Sequence, residues 1–166
     1  MISQEIALFA AASIRTIGVI SDTHNLLRQE AFRELEGPDL IIHAGDIGER
    51  RILEELEMIA PVIAVRGNVD CADWCDQIPL TQTVSVGEVK IYVIHNLKEL
   101  DISSLEPEVK AVIIGHSHQP LIEIRDNCLF LNPGSAGRRR FKLPISLARI
   151  EINAGQVKAY IIELNV

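Results

Sequence analysis

The chain repeats one pattern five times: a short apolar run rich in β-branched residues ends at a small polar motif. Apolar runs of this kind are typical of buried strands. Ligands gather outside the carboxyl ends of the strands of an open α/β sheet, so we expect the five motifs to converge in space. The motifs are Asp22-Thr23-His24, Gly45-Asp46, Gly67-Asn68-Val69-Asp70, His95-Asn96 and Gly115-His116-Ser117-His118.

The order of elements predicts an α/β chain, specifically an α+β sandwich of two mixed sheets packed face to face with helices outside. Helix-like segments at 27–36 and 49–59 separate the early strands and favour parallel pairing there. Short turns separate the later strands and favour antiparallel hairpins, and a further helix is predicted at 98–105, ending before Pro107. The predicted strands are 16–20, 40–43, 62–65, 81–86, 89–94, 112–114, 121–124, 128–131, 145–152 and 157–164.

The length of 166 residues and the apolar content of 48% fit one domain with a substantial core. We expect residues 15–166 to form that domain and residues 1–14 to be an N-terminal extension, either a helical cap or a frayed tail. No apolar run is long enough to cross a bilayer and the N-terminus lacks the basic region of a signal peptide, which predicts a cytoplasmic protein without membrane contact. The net charge of −7 argues against a nucleic-acid partner.

The three cysteines form an odd set, which argues against a disulfide framework. Cys71 and Cys75 could bind a metal as a pair, or they could be ordinary thiols at the surface or in the core.

The candidate site residues in these motifs are three carboxylates, the amide of Asn68 and four imidazoles, a donor mixture that suits manganese, iron or zinc better than calcium. Each residue taken alone has a plainer interpretation: Asp22 as a helix cap, Asn68 as a turn residue and His95 as a core histidine. The set favours metal binding, because four of the five histidines fall within these motifs. The fifth, His43, either contacts and orients the site or is a buried strand residue.

In order and wording the motifs resemble the calcineurin-like metallophosphoesterase superfamily, whose blocks run D-x-H, G-D, G-N-H-(D/E), a lone His and G-H-x-H. The segments His43-Ala44-Gly45-Asp46, Val65-Arg66-Gly67-Asn68 and Asn132-Pro133-Gly134-Ser135 are similar to its small bacterial and archaeal phosphodiesterase branch. The resemblance implies two mixed β-sheets with flanking helices, and two divalent transition-metal ions, manganese first and iron, zinc or nickel as alternatives. It assigns Asp22, His24 and His118 to one ion, Asn68, His95 and His116 to the other, and Asp46 as the bridge.

The resemblance also implies a hydrolase in which a metal-bridging hydroxide attacks a small phosphodiester or phosphomonoester, with phosphodiesters favoured. Asn68 would donate from its amide to a phosphoryl oxygen. Asp70 would either orient a ligand imidazole or cap the next turn. Val69 stands where many relatives have a histidine that assists the leaving group, so activated aryl diesters should react better than alkyl monoesters. Asn96 stands where relatives commonly have glycine, which puts the orientation of His95 in question.

Two other functions remain open at this level. The same fold serves as a protein-binding scaffold in the eukaryotic retromer complex, where the site is degenerate, and a metal-dependent nuclease is the second alternative. The basic run Arg138-Arg139-Arg140, with Lys142, is either a solvated loop or a phosphate-binding segment. The resemblance further favours a homo-oligomer.

Overall fold

A computed structural model describes residues 4–7 and 15–166, and within 4–7 it describes the backbone. The fold is a sandwich of two mixed sheets. The strands are β1 (Gln4–Ala7), β2 (Thr16–Ile20), β3 (Leu40–His43), β4 (Val62–Ala64), β5 (Thr81–Val86), β6 (Val89–Ile94), β7 (Val109–Ile113), β8 (Leu121–Arg125), β9 (Cys128–Asn132), β10 (Ser146–Asn153) and β11 (Gln156–Glu163), and the helices are α1 (Gln29–Glu34) and α2 (Arg50–Glu57).

The first sheet has five strands in the order β11-β10-β2-β3-β4. Strands β2, β3 and β4 run parallel, as the alternation with helices predicted, and β10 joins them antiparallel to β2. The second sheet has six strands in the order β1-β5-β6-β7-β9-β8. Its hairpins β5–β6 and β8–β9 are antiparallel, whereas β7 is parallel to both of its neighbours.

Alternating residues of each strand fill the space between the sheets. In β3, Leu40 and Ile42 lie in this central cluster, while Ile41 points to the other side and packs with the residues of α1 and α2. The outer face of the six-stranded sheet has its own apolar cluster, which packs against residues 97–105. The predicted face-to-face sandwich with outer helices is therefore confirmed.

The prediction of a helix at 98–105 is wrong. The segment forms two separate 3₁₀ turns, Leu97–Glu99 and Ile102–Ser104. Asn96 and Asp101 each accept a hydrogen bond from the backbone amide two residues later, and such local bonds compete with a continuous α-helix.

The N-terminal prediction is corrected in part. Gln4–Ala7 form the edge strand β1, parallel to β5, so these four residues are neither a helix nor a frayed tail. Residues 1–3 and 8–14 lie outside the described part of the chain, and the domain boundary at residue 15 stays a prediction. Within residues 4–7 and 15–166, no helix has the length and apolar character needed to span a bilayer.

Candidate metal centre

The five polar motifs converge at one end of the sandwich. Two groups of side chains place one donor atom each within 4.8 Å of one another, and they share Asp22. The groups are Asp22, His24 and His118, and Asp22, Asp46 and His95. The first group is the set that the family resemblance assigned to one ion.

The two carboxylate oxygens of Asp22 have different environments: one is hydrogen-bonded to neighbouring loops and the other faces the candidate metal centre. Oδ2 accepts hydrogen bonds from the Ser21 hydroxyl at 2.6 Å and from the His116 backbone amide at 3.2 Å. Oδ1 is buried, has no hydrogen-bond partner among the described residues, and lies 3.2 Å from His118 Nε2. The fold therefore fixes one oxygen and directs the other into the centre.

Asp46 is arranged in the same way. Its Oδ1 accepts from the Val69 backbone amide at 3.1 Å, and its Oδ2 lies 3.3 Å from His95 Nε2 and 3.7 Å from His24 Nε2. Burial alone would raise the pKa of Asp46, but His95, the Val69 amide and His24 outweigh it and hold the pKa below its usual value. Asp46 is thus an anion facing imidazoles of both predicted ligand sets.

His95 is oriented by the backbone. Its Nδ1 lies 2.7 Å from the Ala44 carbonyl oxygen and donates a hydrogen bond to it, which leaves the buried Nε2 directed at Asp46. Burial lowers the pKa of His95, but Asp46 and the other nearby acceptors outweigh it and raise the pKa. Asn96 caps the turn that follows it instead of displacing His95, so the departure at position 96 leaves the imidazole inside the centre.

His24 and His118 face each other with their Nε2 atoms 3.2 Å apart and their rings stacked. Burial lowers the pKa of His24, against the opposing effect of Asp46 and Asp22. The neutral imidazole is the form that binds a metal. Both nitrogens lie beside Asp22, as one shared coordination site requires.

Asn68 and His116 form the solvent side of the cluster. The Asn68 Oδ1 lies 3.0 Å from His116 Nδ1, and both residues are exposed. The His116 ring meets the His95 ring edge to face, with centroids 5.3 Å apart. The three side chains assigned to the second ion are therefore neighbours, although His95 is buried and the other two are open to solvent.

The chemistry of the donors fits divalent transition metals. Buried polar atoms are normally hydrogen-bonded, so buried atoms without a partner call for an explanation. Asp22 Oδ1 and His95 Nε2 are two such atoms, and both lie within the cluster. Carboxylate oxygens and imidazole nitrogens at these positions would hold manganese, iron or zinc.

Asp70 connects two of the loops. Its carboxylate accepts from the backbone amides of Ile47 and Gly48, which follow Asp46, and of Gly67, which precedes Asn68. These bonds place Asp70 behind the cluster, where it fixes the distance between the two loops.

His43 is fully buried and hydrogen-bonded at both nitrogens. Its Nδ1 accepts from the Gly45 amide at 3.2 Å, so the proton is on Nε2, which donates to the Thr23 hydroxyl at 3.0 Å. Thr23 in turn donates to the Ile47 carbonyl. Burial lowers the pKa of His43 to about 4. This neutral histidine links the first two motifs without facing the metal cluster.

Residues outside the five motifs also shape the centre. Asn132 donates from its amide to the Gly115 carbonyl and to Ser117, and so holds the loop that carries His116 and His118. Ser21 directly precedes the first motif and no sequence spacing marks it, whereas Asn132 begins the segment Asn132-Pro133-Gly134-Ser135, which the family resemblance had singled out without assigning it a role. The cysteines are free thiols: Cys75 is buried, and Cys71 donates to the Asn68 carbonyl.

Comparison with known proteins identifies one family. A family model described as the calcineurin-like phosphoesterase superfamily domain matches residues 16–155. A probable metallophosphoesterase of Methanocaldococcus jannaschii is 36% identical over 140 residues, covering 76% of this chain and 71% of that protein. A phosphodiesterase of the same archaeon is 30% identical over 140 residues, covering 71% of this chain and 82% of that protein.

Solved structures share the fold. A predicted phosphoesterase from Streptococcus pneumoniae superposes with a TM-score of 0.72 at 26% identity, covering 91% of this chain and 90% of that one. Vps29 from Entamoeba histolytica in complex with zinc has a TM-score of 0.69 at 22% identity, covering 90% and 99%. The second similarity is evidence for the fold alone.

Proposed function

The chain belongs to the calcineurin-like phosphoesterase superfamily, and we propose that it is a phosphodiesterase that binds two divalent metal ions, with manganese as the native metal. The observation that carries the proposal is the convergence of Asp22, Asp46 and His95 with His24 and His118 around buried donor atoms that the fold leaves without hydrogen bonds.

Two such ions, when bound, would supply Lewis acidity and lower the pKa of a water molecule. The residues of the chain would hold the ions and orient the substrate. Asp46 faces imidazoles of both ligand sets and is the candidate bridge. The Asn68 oxygen points to His116, so its amide NH₂ is the group available to donate to a phosphoryl oxygen.

The rate of hydrolysis should depend strongly on how good the leaving group is. Val69 follows Asn68, is 47% exposed, and has a side chain that cannot donate a proton. General acid catalysis contributes roughly 10²- to 10⁴-fold, most where the leaving group is poor. We therefore expect hydrolysis of aryl phosphodiesters and weak hydrolysis of alkyl phosphomonoesters. Comparable rates on both classes would contradict this role for Val69.

We further propose that the enzyme is cytoplasmic and forms a homo-oligomer. Three free thiols support a reducing compartment such as the cytoplasm. The family resemblance supports a homo-oligomer, which light scattering of the purified chain would test by giving a mass above 18.4 kDa.

The test compares Asp46→Asn with Asp126→Asn, a matched change in the exposed β8–β9 turn. Because loss of a residue that merely orients a metal ligand already costs about 10- to 100-fold, Asp46→Asn should lower turnover of bis(p-nitrophenyl) phosphate by more than about 100-fold. Asp126→Asn should leave it unchanged. Wild-type protein that is inactive after reconstitution with manganese would overturn the proposal.

The scaffold alternative needs a functional readout. A protein-binding scaffold can also hold metal ions, so metal content alone does not separate an enzyme from a metal-binding scaffold. Turnover that depends on Asp46 does separate them. Hydrolysis of single-stranded DNA in preference to the small diester would favour the nuclease alternative instead.

A further inference from the structure

The outer face of the six-stranded sheet carries a cavity that none of the candidate metal ligands lines. It has a volume of about 300 Å³ and lies between the strands β5 and β6 and the segment 97–106. Its lining includes Thr81, Thr83 and Tyr92 on the strands and Leu100 and Leu105 on the segment. Ligand cavities in proteins have volumes of roughly 300–1,000 Å³, so this one has the size of a site for a small molecule.

Thr81 brings an unused hydroxyl group to this cavity. The residue is 1% exposed, and its Oγ1 is buried without a hydrogen-bond partner in the described part of the chain. Thr81 pairs with Ile94 of β6, which lies in the outer apolar cluster, so both side chains are on the outer face of the sheet. Buried hydroxyls are normally hydrogen-bonded, so an unpaired hydroxyl on a residue that lines a cavity indicates a missing partner.

The rim of the cavity is acidic. It carries the carboxylates of Glu99, Asp101 and Glu106. Glu106 is paired with Lys90, whereas Glu99 and Asp101 have no cationic partner within residues 4–7 and 15–166. Glu99 accepts only from the Asn96 side chain, and Asp101 accepts from the backbone amide and hydroxyl of Ser103. Two uncompensated negative charges therefore stand at the mouth of the cavity, where they attract cations.

The rest of the lining favours an organic cation over a metal ion. The half-buried Tyr92 offers an aromatic ring, and Leu100 and Leu105 offer apolar surface on which a carbon chain can pack. A metal ion requires several ligand atoms that meet at one point. Among the described residues, groups of three or more histidine, cysteine or acidic side chains that meet in this way are found only at the candidate metal centre.

We propose that this cavity binds a short aliphatic diamine. One ammonium group contacts Glu99 and Asp101 at the rim, and the carbon chain lies along Tyr92 and the two leucines. The second amino group donates to the unpaired hydroxyl oxygen of Thr81. The site is independent of the proposed function, because it shares no lining residue with the metal centre.

The polar groups at both ends of the cavity distinguish a diamine from a basic side chain of a partner protein. A lysine side chain has a single ammonium group, which would satisfy the rim and leave the Thr81 hydroxyl without a partner. A neutral diol would reach Thr81 but would leave the charges of Glu99 and Asp101 uncompensated. A cation with an amino group at each end satisfies both.

The experiment measures binding of three probes with the same carbon chain by calorimetry in low-salt buffer. 1,4-Diaminobutane should bind with one molecule per chain, butylamine should bind more weakly, and 1,4-butanediol should not bind in the same concentration range. A hydrogen bond to a charged group changes affinity by roughly 10- to 150-fold. Thr81→Val keeps the shape of the side chain, so it should weaken binding of the diamine at least about 10-fold and leave binding of butylamine unchanged.

The contribution of the rim is tested by removing its charges. Glu99→Gln and Asp101→Asn should each weaken binding of the diamine by about 2- to 5-fold, as expected for exposed ion pairs. Glu57→Gln, at an exposed acidic residue of α2 on the other sheet, is the matched control and should leave the affinity unchanged.

Three results would overturn the site. They are absence of diamine binding to the wild type, equal weakening by Glu57→Gln and Glu99→Gln, and undiminished diamine binding to Thr81→Val. Equal weakening would show that the diamine is attracted by the net charge of the whole chain. Turnover that depends on Asp46 would leave the proposed function standing in each case.

Discussion

His43 gives the fold a defined sensitivity to acid. Both ring nitrogens are engaged: Nδ1 accepts from the Gly45 amide and Nε2 donates to Thr23. The ring is fully buried, and a second proton on Nδ1 would face the Gly45 N–H. The folded protein therefore binds that proton only with a pKa of about 4, against the ordinary histidine pKa of 6.5. The unfolded chain binds it more strongly.

The sign of the effect follows from this difference. A histidine whose folded pKa is lowered contributes its full stability above about pH 6.5 and loses it as the pH falls toward 4. A pKa difference of about 2.5 corresponds to about 3 kcal/mol once protonation is complete, and to about 2 kcal/mol at pH 5. The free energy of unfolding should therefore fall between pH 7.5 and pH 5 by about 2 kcal/mol through His43 alone.

The assay compares wild type with His43→Gln, which keeps an N–H donor near Thr23 but does not titrate. Urea unfolding followed by circular dichroism, in EDTA to remove metal linkage, gives the free energy of unfolding at each pH. The other histidines contribute to both proteins and cancel in the difference. His43→Gln should be less stable at pH 7.5, and the gap should narrow by about 2 kcal/mol at pH 5. A gap that stays constant within about 0.5 kcal/mol would refute the neutral, buried state of His43.

Two further predictions concern the loops behind the cluster. Asp70→Asn replaces a carboxylate oxygen that accepts backbone N–H bonds with an NH₂ group, and should lower the free energy of unfolding by about 3 kcal/mol in urea titrations; a loss below about 1 kcal/mol would contradict the bracing role. Gly67→Ala would drive a β-carbon into the Asp46 carboxylate and backbone amide and should weaken manganese binding by at least about 10-fold in calorimetry. Gly87→Ala, with open space around it, should leave the manganese affinity unchanged; equal affinities in both variants would contradict the close approach.

Local sequence signals were sufficient for most of the strands. The predicted bounds of β2, β3, β5 and β6 match the structure, because each is a β-branched run that ends at a turn residue or a polar motif. The parallel pairing of β7 with β6 and with β9 was not predicted. Such pairings join segments distant in sequence, and neither a turn motif nor a periodicity specifies them.

For the candidate site, too, one part could be predicted from the sequence and another could not. The ligand-type residues were predictable because their motifs are short and stand at strand ends. The supporting contacts were not: Ser21 on Asp22, His43 on Thr23 and Asn132 on Gly115 depend on side chains that meet only after the loops pack. The hydrogen bond from Arg28 to the Gly137 carbonyl likewise joins residues more than a hundred positions apart in the chain.

The backbone shows why those contacts matter. Left-handed conformations cost residues other than glycine roughly 1–2 kcal/mol each, and they recur at the ligand positions of this chain. The residues concerned are Asp22, His24, Asp46, His116 and His118. A relaxed backbone would point these side chains elsewhere, so the bonds made by Asp70, His43 and Asn132 hold the donors in place against the tendency of their own loops to relax. Metal affinity in this fold should therefore depend on these three residues, which bind no metal, as well as on the ligands themselves.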